Sequence, residues 1–214
     1  MQSIMKKLNT NALMQAVNVL AGNDDELARV VSTYGPPPLW EREAGFHTLI
    51  HIILEQQVSL ASAQAAYNRL TQAVNPLTPA GFMVLTDEEL LKIGFSRQKT
   101  SYGRELAAAI LNGSLDLPGL DNLGDEEAKA QLMKVKGIGA WTANIYLLMA
   151  LGRPDIWPSG DLALLIALQR VKGLPGRPTM EDALKISATW QPWRAVAARL
   201  LWHFYLSEPR KGTR

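Results

Sequence analysis

The stretch VKGIGAWTA, Val135 to Ala143, sits between two apolar segments of helical periodicity and sets two glycines one residue apart. A chain that breaks a helix at Gly137-Ile138-Gly139 and resumes it at once is turning a tight corner between two helices. Two readings of that corner are open. In one it is a plain turn joining core helices. In the other, amides at the start of the second helix face outward, glycines let an anion come close, and the helix dipole favours negative charge, so the corner holds a phosphate.

Around this corner the chain reads as helix almost throughout. β-Branched alternation is rare, while apolar residues recur at three and four, which predicts an all-α fold. Phe46, Leu49, Ile50, Ile53 and Leu54 form one stripe, ended by EQQVS, and Ser59 is placed to cap LASAQAAYNRLTQAV. Thr86 opens TDEELLKIG, with Glu89 as its capping box and Gly94 as its stop. A further helix runs from Ser96 to about Gly113, and GDEEAKAQLMKV leads into the glycine corner. Thr179 caps MEDALKISATW, and Pro192 is expected in the first turn of PWRAVAARLLWHFYLSE. In that last segment Trp193, Val196, Ala197, Leu200, Leu201 and Phe204 make the core stripe. Trp202 falls opposite Trp193, beside Ala195 and Ala198, whose small side chains are expected to leave open space.

Two proline-rich stretches punctuate the chain. YGPPPLW, residues 34–40, forbids helix, and GRPDIWPSGD, residues 152–161, separates the glycine corner from the last helices. The first is expected to link a small N-terminal helical piece to the main bundle.

Composition removes several chemistries. The 214 residues contain no cysteine, which excludes disulfides, thiolate nucleophiles and thiolate-held zinc or iron–sulfur clusters, and three histidines disfavour a histidine-built metal centre. No apolar run approaches the roughly 18–20 residues of a spanning helix, and MQSIMKKLNTNALMQAV has no secretory pattern, so a cytoplasmic protein without membrane partners is expected. The net charge of +2 permits a nucleic-acid partner without arguing for one.

LMKVKGIGAWTANIYLLMALGRPDIWPSGDLAL taken whole resembles the helix-hairpin-helix DNA glycosylases, in which the hairpin is followed, after one helix and a Gly/Pro-rich loop, by an aspartate. ILEQQVSLASA, GFSRQKTSYGRELA and WQPWRAVAARLLW extend the likeness over about residues 40–205 and point to the DNA-3-methyladenine glycosylase II branch, which removes alkylated bases. The resemblance implies a two-lobed all-α fold, with a helical bundle over 40–155, a second lobe from both chain ends, 1–39 and 156–214, and an active cleft between the lobes. It also implies a monomeric enzyme acting on double-stranded DNA, with the hairpin at Val135 to Gly139 and the catalytic acid at Asp161. A single carboxylate suits the chemistry, because breaking an N-glycosidic bond builds positive charge on the sugar. Asp161 also precedes LALLIALQRV and is placed to cap that helix.

Further roles follow from the same resemblance. Lys136, Gly137, Ile138, Gly139 and Thr142 fall to DNA binding. Gln57 matches the position that fills the gap left by an extruded nucleotide, with Gln56 beside it, although residue type alone fits ordinary helix-end polarity. Trp202 matches the base-stacking tryptophan, whose indole face suits a cationic alkylated base, and Trp141 joins it at the substrate. Members that also cut the strand carry a Schiff-base lysine where this chain has Trp141, so a monofunctional hydrolase is implied. Ile145 stands where some relatives are aromatic. No cofactor is required, but family hairpins often hold a monovalent cation through carbonyls, here those of Met133, Val135 and Ile138. Two rivals stand beside this: a glycosylase for oxidised or deaminated bases, and a hairpin module that binds DNA without chemistry.

Overall fold

The computed structural model describes residues 7–208, and among them there is no β-strand. The helices are α1 (Thr10–Asn23), α2 (Asp25–Tyr34), α3 (Phe46–Glu55), α4 (Leu60–Ala73), α5 (Pro79–Val84) and α6 (Asp87–Ile93). They continue with α7 (Arg97–Leu111), a 3-10 turn (Pro118–Asn122), α8 (Asp125–Met133), α9 (Ala140–Met149), α10 (Leu162–Val171), α11 (Met180–Ala188) and α12 (Arg194–Ser207). The caps read from sequence form: Ser59, Thr86, Thr179 and Asp161 each accept an amide of their helix's first turn, and Glu89 completes the box with Thr86. The chain divides into two compact units, Arg42–Leu151 and Met1–Glu41 with Gly152–Arg214.

In the Arg42–Leu151 unit, α3 is the core helix and packs against α4, α7 and α9. Its apolar positions exceed one stripe: Phe46, Leu49, Ile50, Ile52, Ile53 and Leu54 are all buried, so neighbours enclose it on most sides. Thr48 on this helix donates its hydroxyl to the Glu43 carbonyl at 2.6 Å, satisfying the polar group that burial would otherwise strand. Tyr146 of α9 is fully buried, its hydroxyl accepts the Gly45 amide at 3.0 Å, and burial pushes its pKa up to about 12.

In the other unit α12 is central, packing against α1, α2, α10 and α11. Here the sequence reading needs correction twice. Pro192 is not in the first turn: it follows a cis peptide, and α12 begins at Arg194. The helix starts there because the Arg194 amide goes to the Asp155 carboxylate (3.2 Å) and the Ala195 amide to the Pro154 carbonyl (3.0 Å). Nor does Trp202 lie on an open face. Ala195 and Ala198 are fully buried and Trp202 is 8% exposed, because four helices surround α12 and the alanines serve close helix approach rather than free space. Arg199, a charged residue, is only 1% exposed. It donates from Nε to the Leu39 carbonyl at 2.8 Å and from Nη1 to the Ala195 carbonyl at 3.1 Å, pinning the proline segment, and burial lowers its pKa to about 10.

Asp24 ties the corner of this unit. It ends α1 and caps α2, Oδ1 accepting the Leu27 amide at 3.1 Å, while Oδ2 accepts Trp190 Nε1 at 2.7 Å and Lys172 Nζ at 2.6 Å. Burial works to raise its pKa, but these hydrogen bonds and the Lys172 charge outweigh it and hold the carboxyl below its ordinary value of 3.8. Asp24→Ala removes a cap and strands a buried indole N–H, so unfolding should become easier by about 2–4 kcal/mol. Because the folded pKa is depressed, this stabilisation is complete above the ordinary carboxylate value and fades as pH falls through the folded one. Denaturant melts should therefore show the gap to wild type narrowing only below about pH 4.

Candidate active site and hairpin

The hairpin is built by backbone. At the end of α8 the Lys134 and Val135 amides return to the carbonyls of Gln131 and Leu132, and the Ile138 amide closes onto the Val135 carbonyl at 3.0 Å. Val135 and Ile138 send their side chains into the core, whereas Lys136 and Gly139 are exposed. Gly139 caps α9 with no side-chain hydrogen bond, leaving a helix start suited to an external anion.

The two glycines differ in what requires them. Gly137 has φ +95°, and a Cβ there would fall on the Tyr102 ring. Gly139 has φ −87° and ψ 178°, and nothing lies within 4 Å of where its Cβ would stand. The fold thus requires glycine at 137 on steric grounds, whereas at 139 it leaves open space beside the start of α9.

The structure also relocates two residues that sequence assigned to ligands. Thr142 is 2% exposed, and its hydroxyl accepts from Gln56 Nε2 at 2.9 Å. Gln56 Nε2 donates to the Gly137 carbonyl as well, at 3.1 Å, so its amide is engaged by the hairpin instead of pointing outward. Side chains 81 and 86 positions apart in sequence carry no periodic signal that foretells this. Gln57 is exposed and has φ +56°, an unusual backbone for a non-glycine residue. Trp141 is half-buried in the first turn of α9, and Ile145 is 3% exposed on the same helix. Met133, the last residue of α8, is exposed.

Asp161 and Trp202 meet in the unit built from both chain ends. Asp161 Oδ1 accepts the Leu164 amide at 2.9 Å and Trp202 Nε1 at 3.2 Å. One oxygen therefore caps α10 and receives the indole N–H. The carboxylate is half-buried at a helix N-terminus, where backbone amides hold it in a fixed orientation. Sequence reading missed Trp40. Its ring stands edge-on to Trp202 at 6.5 Å and to His203 at 6.5 Å, and its φ is +48°. Left-handed backbone at a bulky residue is kept only where surroundings enforce it. The signal for it in sequence is a tryptophan two residues after a proline run, outside any helical pattern.

Among the described residues no group of three or more His, Cys, Asp or Glu is arranged to hold a metal ion, and no helix is long and apolar enough to cross a membrane. The glycine asymmetry yields a stability test. Gly137→Ala should cost about 2–4 kcal/mol through overpacking and left-handed strain. Gly139→Ala should leave thermal stability within about 1 kcal/mol of wild type, because the poorer N-cap offsets the gain from a stiffer unfolded chain.

Comparison with known proteins agrees with this geometry. Residues 50–192 match the HhH-GPD superfamily of base excision DNA repair proteins. DNA-3-methyladenine glycosylase 1 of Schizosaccharomyces pombe is 30% identical over 198 residues, covering 89% of this chain and 87% of that protein. A Bacillus subtilis protein named for DNA-3-methyladenine glycosylase is 27% identical over 184 residues; the match covers 82% of this chain and 64% of that longer protein. Among solved structures, the S. pombe 3-methyladenine DNA glycosylase in complex with abasic DNA superposes with a TM-score of 0.81 at 30% identity, covering 88% of this chain and 95% of that one. With two thirds of its length matched by the family and its helices superposing on a member's, the chain belongs to the HhH-GPD superfamily of base excision DNA repair proteins.

Proposed function

We propose that the protein is a monofunctional DNA glycosylase that flips alkylated bases of the 3-methyladenine type out of duplex DNA and hydrolyses the N-glycosidic bond, without strand cleavage. The observation that carries this reading is the shared Asp161 oxygen: a carboxylate fixed by a helix amide and by the indole of Trp202, in a chain of this family. A pure binding module has no need of that pairing.

Each residue then has a physical task. As the glycosidic bond lengthens, positive charge builds on the sugar, and the oriented Asp161 carboxylate stabilises it without having to reorganise. The same carboxylate orients or deprotonates the attacking water. Alkylation at N3 or N7 makes the base a cation and a good leaving group, which removes the need for a general acid. Trp202, 8% exposed, offers that cation only the part of its indole that packing leaves open, and the half-buried Trp40 stands beside it. Gly139 and the exposed Lys136 meet the DNA backbone, and Gln57 fills the gap. Trp141 contacts the extruded nucleotide.

We also propose a monovalent cation at the hairpin, held through backbone oxygens alone. The carbonyls ending α8 carry partial negative charge, and those of Met133, Val135 and Ile138 would hold it. Bound there it would stiffen the turn that faces phosphate. Soluble action in the cytoplasm as a monomer completes the reading.

Asp161→Asn keeps a good cap, since an amide oxygen also accepts from Leu164 N–H, but loses the anion. Single-turnover release of 3-methyladenine from methylated duplex should fall by about two to three orders of magnitude, with duplex affinity and melting temperature near wild type. Excision at the wild-type rate would sink the assignment. Borohydride added during turnover should trap no enzyme–DNA adduct, because Trp141 stands where a Schiff-base amine would be needed; a covalent adduct would instead establish lyase chemistry.

A further inference from the structure

The end of α3 is fixed more thoroughly than a helix end requires. Three consecutive residues are held by three different elements, all within the Arg42–Leu151 unit. The Leu54 carbonyl accepts Lys99 Nζ of α7 at 2.7 Å. Glu55, its side chain 8% exposed, takes a two-pronged ion pair from Arg42 at 2.7 and 3.1 Å, with His51 Nε2 3.7 Å away. Gln56 spans to the hairpin, donating to the Gly137 carbonyl and the Thr142 hydroxyl. The next residue, Gln57, is exposed and sits in left-handed backbone at φ +56°.

A helix that merely ends in left-handed backbone uses glycine or asparagine, which adopt it cheaply. Here the position is a long-armed glutamine, and the unfavourable backbone is imposed by anchors immediately before it. Those anchors are stiff. Gly137, whose carbonyl receives Gln56, lies so close against the Tyr102 ring that a Cβ there would fall on it, and Thr142 is buried in the first turn of α9. The link therefore couples the turn that faces phosphate to the residue that follows α3.

We propose that Gln56 and Lys99 are positioning residues, which lock the end of α3 to the hairpin and to α7 so that Gln57 is preset for entry into the duplex when a base leaves it. This rests on the glycosylase reading, and it assigns Gln56 a place behind the wedge instead of on the substrate. The advantage is entropic: a side chain already held in the inserting conformation loses less freedom when it enters the stack.

The test separates extrusion from chemistry. Single-turnover excision is measured on a duplex with 7-methylguanine paired to cytosine, and on a duplex with the same base in a one-nucleotide bulge, where there is no pairing to break. Gln56→Leu and Lys99→Met should each lower the paired-to-bulged rate ratio by about tenfold, and adding Gln56→Leu to Gln57→Ala should lower it no further than Gln57→Ala alone, since residues acting as one unit are not additive. A merely structural role would lower both rates together and leave the ratio alone. An unchanged ratio in the single variants, or additive losses in the double variant, overturns the positioning role. If Gln56→Leu does not fold, Lys99→Met, which removes a different hydrogen bond, decides. Wild-type protein that releases base from neither duplex and no 3-methyladenine from methylated DNA sinks the glycosylase reading and the positioning role with it; if it releases 3-methyladenine alone, the same paired-to-bulged ratio is read with that base, and normal wild-type excision with an unmoved ratio sinks the positioning role alone.

Discussion

The enclosure of α12 is the constraint from which the chemistry-bearing unit takes its shape. A helix with buried side chains from Ala195 through Trp202 has no exposed face along that run on which to slip. Alanine at 195, 197 and 198 lets neighbouring helices come close, and Arg199 uses its guanidinium to hold the proline segment by a carbonyl. Trp202 is consequently fixed by packing before any ligand arrives. Its N–H in turn fixes one oxygen of Asp161. Orientation of the carboxylate is thus a product of core packing as well as of its own helix cap.

The second unit solves a different problem. It has to present backbone, and backbone is steered by what stands behind it. Tyr102 and Gln56 brace Gly137 from within, while Gly139 is left with nothing near it. A side chain that is absent leaves the start of α9 open, and the turn achieves this without loosening, because the strained position and the open position are separate residues.

Local chemistry was legible in the sequence and long-range chemistry was not. Ser59, Thr86, Thr179 and the glycines announce their roles because caps and turns are decided within four residues. Asp161 was readable both as a cap and, by family resemblance, as an acid, and the geometry gives it the cap. The start of α12 was misread because Asp155, far from it in sequence, supplies the carboxylate that begins the helix. A single amphipathic stripe was assumed for the same helix, yet a helix touched by four others has no polar side, and a charged Arg199 inside it defeats any rule that sends arginine to solvent. α5 and the 3-10 turn went unread because each is shorter than the window over which periodicity becomes visible. Trp40 and the anchoring of Gln56 depend on contacts that only the folded chain creates.

The Arg42 amide donates to the Met149 carbonyl at 2.9 Å, so the folded Arg42–Leu151 unit brings its own entry and exit side by side. It behaves as an insertion within a unit made of both chain ends. Closing so long a loop costs about 3 kcal/mol more than closing a short one. When the insertion folds first, that cost is borne by its own core, and α1 and α2 need only wait for α10 to α12 to be synthesised. The order of assembly on the ribosome is thereby written into the topology: the bundle that carries the hairpin can mature while the helix that carries Trp202 is still to be made.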